Sequence, residues 1–119
     1  MSRHVHRLST ISDLDAALTA SHTQPIVLFK HSPTCGTSAM ASEEIDDLLA
    51  DESINAEVHV VFVREARAVS DAIVERFRVR HESPQVLVVH RGAVIWHRSH
   101  FHVTAEQIRA ALMGLTDAA

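Results

Sequence analysis

Four apolar residues in a row, Ile26-Val27-Leu28-Phe29, follow the break at Gln24-Pro25 and constrain this chain more than any other feature. A strand with one wet face alternates apolar and polar residues, whereas an unbroken apolar run belongs to a strand buried on both faces. Val58 to Val63 (V-H-V-V-F-V) and Val86 to Val89 read as further strands. Ala93 to Trp96 is a fourth, and His90-Arg91-Gly92 before it is short enough to make the last two a hairpin.

Helical spacing fills the intervals. Leu8 to Ala20 reads as a short helix capped by Ser12, with Asp15 three residues on and Leu14, Ala17 and Leu18 on one face. From Gly36 to Ala50, Met40, Ala41, Ile45, Leu48 and Leu49 cluster, while Glu43, Glu44, Asp46 and Asp47 read as a solvated face. Ala66 to Phe77 places Val69, Ile73 and Phe77 one turn apart. Thr104 opens the last helix with Gln107 completing a capping box, and Ile108, Ala111, Leu112 and Leu115 form its inner face. Strands joined through helices run parallel with right-handed crossovers, and the final hairpin adds an antiparallel edge. The expectation is a single α/β domain over residues 1–119: a four-stranded mixed sheet flanked by helices, with an additional N-terminal helix. This order resembles the thioredoxin topology.

Composition excludes several roles. The net charge is −4 and the 11 Lys and Arg are scattered, without the concentrated basic stripe of a nucleic-acid binder. No apolar run approaches the roughly 18 residues that cross a bilayer. The basic start Met1 to Arg7 has no apolar stretch behind it to make a signal peptide, so a cytoplasmic location is expected. The single cysteine cannot form an internal disulfide, and any disulfide partner must be another molecule.

That cysteine sits in Phe29-Lys30-His31-Ser32-Pro33-Thr34-Cys35-Gly36-Thr37-Ser38, between a buried strand and the first turn of a helix. Backbone N–H groups there lack intrahelical partners, and the helix dipole places about half a positive charge at that end. A thiolate is stabilised at such a point, and the thiolate is the nucleophile. Thr34 and Thr37 offer hydroxyls; Lys30, His31 and His81 are candidates to tune the thiolate. In Cys-x-x-Cys motifs the second thiol resolves the mixed disulfide formed by the first. Here the fourth residue is Ser38, which cannot attack a disulfide, so release requires an external thiol. The chemistry expected is monothiol thiol–disulfide exchange. Glu82-Ser83-Pro84-Gln85 precedes the strand at Val86, where a proline is tolerated because the first strand position needs no N–H.

Several stretches resemble the monothiol bacilliredoxins of the bacillithiol system, within the thioredoxin-like superfamily. They are Phe29-Lys30-His31-Ser32 running into Thr34-Cys35, Ser38 with Met40-Ala41, His81-Glu82-Ser83-Pro84-Gln85, and Trp96-His97-Arg98-Ser99-His100 followed by Val103-Thr104. The resemblance implies a thioredoxin fold, a cis peptide at Ser83-Pro84 opposite the cysteine, and an oxidoreductase that removes bacillithiol from S-bacillithiolated proteins. Cys35 would be the catalytic residue that accepts the thiol. Thr34, Gly36, Thr37, Ser38, Ser83 and Pro84 would contact the substrate, with the Ser83 backbone pairing to it like an added strand. Its partners would be S-thiolated proteins and a small thiol, bacillithiol or another, acting as co-substrate; no permanently bound cofactor or metal and a monomer are expected.

One departure stands out. The family usually has Cys-Pro-Ile-Ser, whereas this chain has Cys35-Gly36-Thr37-Ser38, closer to the Cys-Gly-Phe-Ser of monothiol glutaredoxins. A 2Fe–2S cluster carrier bridged by two subunits is therefore one alternative, and a non-catalytic thioredoxin-like binding module is another. His97, His100 and His102 form H-x-x-H-x-H, but a zinc site needs three or four converging ligands. They read as surface or hydrogen-bonded histidines rather than ligands.

Overall fold

The computed structural model describes residues 5–118. Its elements are β1 (Val5–Arg7), α1 (Ile11–Ala20), β2 (Ile26–His31), α2 (Gly36–Leu49), β3 (Glu57–Phe62), α3 (Arg67–Phe77), β4 (Gln85–His90), β5 (Ala93–Ser99), a 3₁₀ turn (His100–His102) and α4 (Ala105–Ala118). The sheet order is β1-β3-β2-β4-β5. β1 and β2 both run parallel to β3, while β4 is antiparallel to β2 and β5.

The sheet has five strands where four were expected. Residues 1–4 of the basic N-terminal stretch lie outside the described residues; Val5–Arg7 forms β1, paired with Val58–Val60. All three of its residues are exposed, so no apolar pattern marked the strand in the sequence. The cap of α1 also differs from expectation. Thr10, not Ser12, is the N-cap: its hydroxyl accepts from the Asp13 N–H, and Asp13 in return accepts from the N–H of Thr10 and of Ser9. The helix therefore begins at Ile11, after Leu8 has turned its side chain into the core.

Helices cover both faces. On one, α2 (Ala41, Ile45, Leu48) and α4 (Ala105, Ile108, Leu112) pack on Val27, Phe29, Val58, Val86 and Val88. On the other, α1 (Leu14, Ala17, Leu18) and α3 (Val69, Ile73) pack on Ile26, Leu28, Val61, Leu87 and Val89. Ile26 to Phe29 are each buried, as the unbroken apolar run requires, and each such side chain contributes about 1.5–3 kcal/mol. Met40 departs from its expected place in the α2 cluster and is 54% exposed. Glu44 is more than part of a solvated face, since its carboxylate accepts from the Ala105 N–H and caps α4. Thr104 Oγ1 accepts from the Gln107 N–H at the same helix start. The β4–β5 turn uses Arg91 and Gly92, both with left-handed φ (53° and 77°), the conformation a tight hairpin turn demands.

Candidate active site

β2 ends at His31, and residues 32–35 carry the chain across the sheet end into α2. Cys35 is the N-cap of that helix, with extended backbone (φ −103°, ψ 126°) and a partly exposed side chain. Its N–H donates to the Ser32 carbonyl (3.1 Å), closing the loop around Pro33 and Thr34. Ser38, fully buried, faces back into this loop, and its Oγ accepts from the Ser32 N–H (3.2 Å). With that lone pair engaged, the hydroxyl proton is free to point at the sulfur. Thr34 is exposed, its Oγ1 3.4 Å from Ser32 Oγ, and Gly36 opens onto empty space.

The Cys35 pKa is lowered, first by the backbone N–H of Ser38, then by that of Thr37; partial desolvation opposes this, and the Thr37 and Ser38 hydroxyls add to the lowering. The neutral thiol itself makes no cap hydrogen bond of good geometry. The two observations differ because a thiol is a weak acceptor, whereas a thiolate draws strength from every donor within reach. The orphan donors of the helix start are what favour the anion.

Lys30, His31 and His81, the candidate tuning residues, are not among the groups that shift Cys35. Lys30 is completely buried, and its Nζ donates to His81 Nδ1 (3.2 Å). Burial lowers its pKa to about 8, and the Asp71 carboxylate partly opposes that. The His81 pKa is lowered too, chiefly by desolvation and then by the Lys30 charge. Lys30 and His81 thus form one pair, beside a cleft lined by Arg64, Arg67, Ser70 and Asp71. His31 projects from the other face of β2, its ring between Phe29 (5.1 Å) and Phe62 (5.5 Å), and burial lowers its pKa.

The Ser83–Pro84 peptide is cis. Gln85, the next residue, pairs with Lys30 at the end of β2, so the proline loop and the cysteine loop leave the same end of the sheet. Among the described residues, neither backbone group of Ser83 has a backbone partner, and its buried Oγ has none either. The loop is held from two sides. The buried Gln85 side chain donates to the Arg80 carbonyl (2.9 Å) and accepts from the Glu82 N–H (3.4 Å). Across β5, the His100 N–H donates to the Pro84 carbonyl (2.9 Å), and a hydrogen bond from Ser99 leads the effects that lower the Glu82 pKa.

Gln85 and Ser99 are positioning residues that sequence reasoning missed, whereas His100 has the hydrogen-bonded role expected of it. The signal was present in His81-to-Gln85 and Trp96-to-His100, but only the β4–β5 register, with Gln85 opposite Ser99, brings the two stretches together. His97, exposed on β5, and His100 and His102 on the 3₁₀ turn do not converge on a common point among the described residues.

Solved structures that share this architecture include thioredoxins and a protein described by its thioredoxin fold. A solved structure described as a candidate oxidoreductase with a thioredoxin fold aligns with a TM-score of 0.82 at 26% identity, covering 91% of this chain and 93% of that one. Thioredoxin from Fasciola hepatica aligns with a TM-score of 0.74 at 15% identity, covering 92% of this chain and 97% of that one. Thioredoxin from Trypanosoma brucei brucei aligns at 0.76 and 13%, covering 98% and 95%. The chain therefore has the thioredoxin fold. No helix among the described residues is long and apolar enough to cross a membrane. The profile of the family described as monothiol bacilliredoxin BrxC matches residues 6–108, a span that takes in Cys35, the proline loop and the Ser99-His100 clamp. A lone, partly exposed cysteine at a helix start, the Ser38 beneath it and this match together place the chain in the monothiol bacilliredoxin family, with a thiol redox role.

Proposed function

We propose that this protein is a monothiol thiol–disulfide oxidoreductase that takes bacillithiol, or a similar low-molecular-weight thiol, from mixed disulfides on proteins. The carrying observation is Cys35: partly exposed, with its thiolate favoured by the donors of residues 37 and 38, and with a buried hydroxyl where a resolving thiol would stand. In the first step the Cys35 thiolate attacks the small-thiol sulfur of the protein mixed disulfide. That S–S bond breaks, the target protein leaves as a thiolate, and Cys35 holds the small thiol as a new disulfide. In the second step an external small-thiol thiolate attacks this adduct, regenerating the Cys35 thiolate and releasing the small-thiol disulfide. Each step exchanges one disulfide for another, and the external thiol supplies the reducing equivalents.

The free backbone groups of Ser83 receive the extended disulfide-bearing segment as an added strand, with Thr34 and Gly36 leaving the approach to the sulfur open. The chain acts as a cytoplasmic monomer whose thiol exchange needs no cofactor beyond the small-thiol co-substrate, on S-thiolated proteins as partners.

The test is to mix the reduced protein with a bacillithiolated, a glutathionylated and a mycothiolated model protein and to weigh the adduct on Cys35. The expected result is one bacillithiol per chain, formed faster than the other two adducts. Absence of every adduct, or release of the thiol by Cys35→Ser at the wild-type rate, would overturn the reading.

A further inference from the structure

The parallel register of β1 with β3 sets His6 directly beside His59. Glu57, two residues before His59 on β3, projects from the same face of the sheet. The two imidazoles stack with centroids 4.8 Å apart and planes 21° from parallel. Glu57 Oε2 lies 3.3 Å from His6 Nε2 and 3.9 Å from His59 Nε2. One donor atom from each residue lies within 4.8 Å of the others. His59 is only 5% exposed, yet neither of its ring nitrogens has a hydrogen-bond partner. Buried polar atoms are nearly always satisfied, and an orphan costs about 1–3 kcal/mol. An aromatic hydrocarbon would fill the same space without that penalty, so the idle nitrogens point to a ligand.

We propose that His6, Glu57 and His59 bind a divalent transition-metal ion of the zinc class, through His6 Nε2, Glu57 Oε2 and His59 Nε2, and so tie the edge strand β1 to β3. Two imidazoles and a carboxylate are a donor set for such borderline ions rather than for magnesium or calcium, which prefer oxygen ligands. Donor atoms around a tetrahedral zinc stand roughly 3.3 Å apart, given bonds of about 2.0–2.1 Å. The Glu57–His6 spacing already matches this, and His59 Nε2 stands 3.9 Å from the carboxylate. Stacked imidazoles do not aim their in-plane lone pairs at one point, so binding requires the partly exposed His6 ring to turn out of the stack. A groove lined by Arg7, Asp13, Ala16 and Ala20 borders the site, so water completes the coordination. Asp13 is already engaged with the N–H groups of Ser9 and Thr10 and is not a fourth ligand. The ion needs no change at Cys35, which leaves β2 at the sheet end.

The experiment uses the full chain with Cys35 alkylated, so that the thiolate does not compete for metal. Titration with Co²⁺ is expected to give one bound ion per chain with visible d–d bands, displaced by one Zn²⁺ and accompanied by a rise in Tm. His59→Phe, which keeps the ring stack, and Glu57→Gln, which keeps the shape, should each weaken binding at least about 100-fold. The triple change His97→Ala, His100→Ala, His102→Ala should leave it unaltered. If His59→Phe fails to fold, Glu57→Gln alone decides, since its side chain is partly exposed. No stoichiometric Co²⁺ uptake, wild-type affinity in Glu57→Gln, or loss of the ion in the triple variant would overturn the proposal.

Discussion

Lys30 and Cys35 stand five residues apart on one strand-to-helix connection, and both have depressed pKa values for opposite physical reasons. At Cys35 the charged form is favoured: the N–H groups of residues 37 and 38 stabilise the thiolate, and desolvation works against them. At Lys30 the charged form is penalised: desolvation dominates, and the Asp71 charge works against it. Strand alternation keeps the two apart. Phe29 lies on the α2 side of the sheet with His31 against it, while Lys30 projects to the α3 side and meets His81. The charge nearest in sequence to the cysteine is therefore not the one that sets its reactivity; the backbone donors of the helix start do that.

The largest expected effect tests the first half of that contrast. Cys35→Ser removes the only sulfur that can be attacked or attack, so mixed-disulfide formation measured by intact mass should vanish entirely. Lys30→Met should still form the adduct, and the pH dependence of its alkylation rate should follow wild type. A Lys30→Met thiol that titrates a full unit higher would break the contrast and make the buried ammonium a tuner after all.

The second half is a stability statement. The Lys30 pKa is about 8 when folded and 10.5 as its ordinary value. Between those pH values the unfolded chain binds more protons than the folded one, so stability rises with pH across that window, by at most about 1.4 kcal/mol per pH unit. The penalty is fully present below pH 8. Urea unfolding of wild type between pH 7 and 10.5 should show the rise, and Lys30→Met should flatten it and be at least as stable at pH 7, because it removes a buried charge. Cys35 contributes a slope of the same sign: its lowered folded pKa gives stability that is full above the ordinary thiol value and is lost as pH falls through the folded one. The Cys35→Ser chain removes that part alone, so the two slopes separate.

What the sequence revealed and what it concealed follow from the range of the interactions. The buried strand, the helix start at Gly36 and the serine in the fourth position are local patterns, and each stands where its pattern placed it. β1 was illegible because an exposed three-residue edge strand carries no hydrophobic period. The Thr10–Asp13 cap was displaced by two residues because Ser12 and Asp15 offer the same spacing, and only the extended backbone at Thr10 decides between them. The clamp of Ser99 and His100 on the proline loop, and the Lys30–His81 pair, join residues far apart in the chain, the latter two separated by 51 positions. Register and strand facing determine such contacts, and neither is written in a single segment.

A smaller effect sharpens the role of Ser38. Ser38→Ala leaves the Ser32 N–H without its acceptor, which should cost about 1–2 kcal/mol in urea unfolding. The same change removes one hydroxyl donor from the thiolate but keeps the Ser38 N–H, the largest contributor. The alkylation pKa should therefore rise but stay below that of a free thiol. A return to the ordinary value would mean that hydroxyls, not the helix start, hold the anion.

The smallest expected effect concerns Gly36, where the family usually has proline. Proline at the first helical position requires that its missing N–H not be needed and that the preceding residue be extended. Both conditions hold: Cys35 is at φ −103°, ψ 126°, and the N–H groups that favour the thiolate belong to residues 37 and 38. A Cβ at position 36 meets no atom within 4 Å. Gly36→Pro should thus stabilise the fold by about 0.4–1 kcal/mol, by restricting the unfolded chain, with the Cys35 alkylation profile unmoved. A stabilised variant with a shifted thiol pKa would show that the Gly36 N–H is itself a thiolate donor, and the glycine would then be a choice about reactivity rather than about folding.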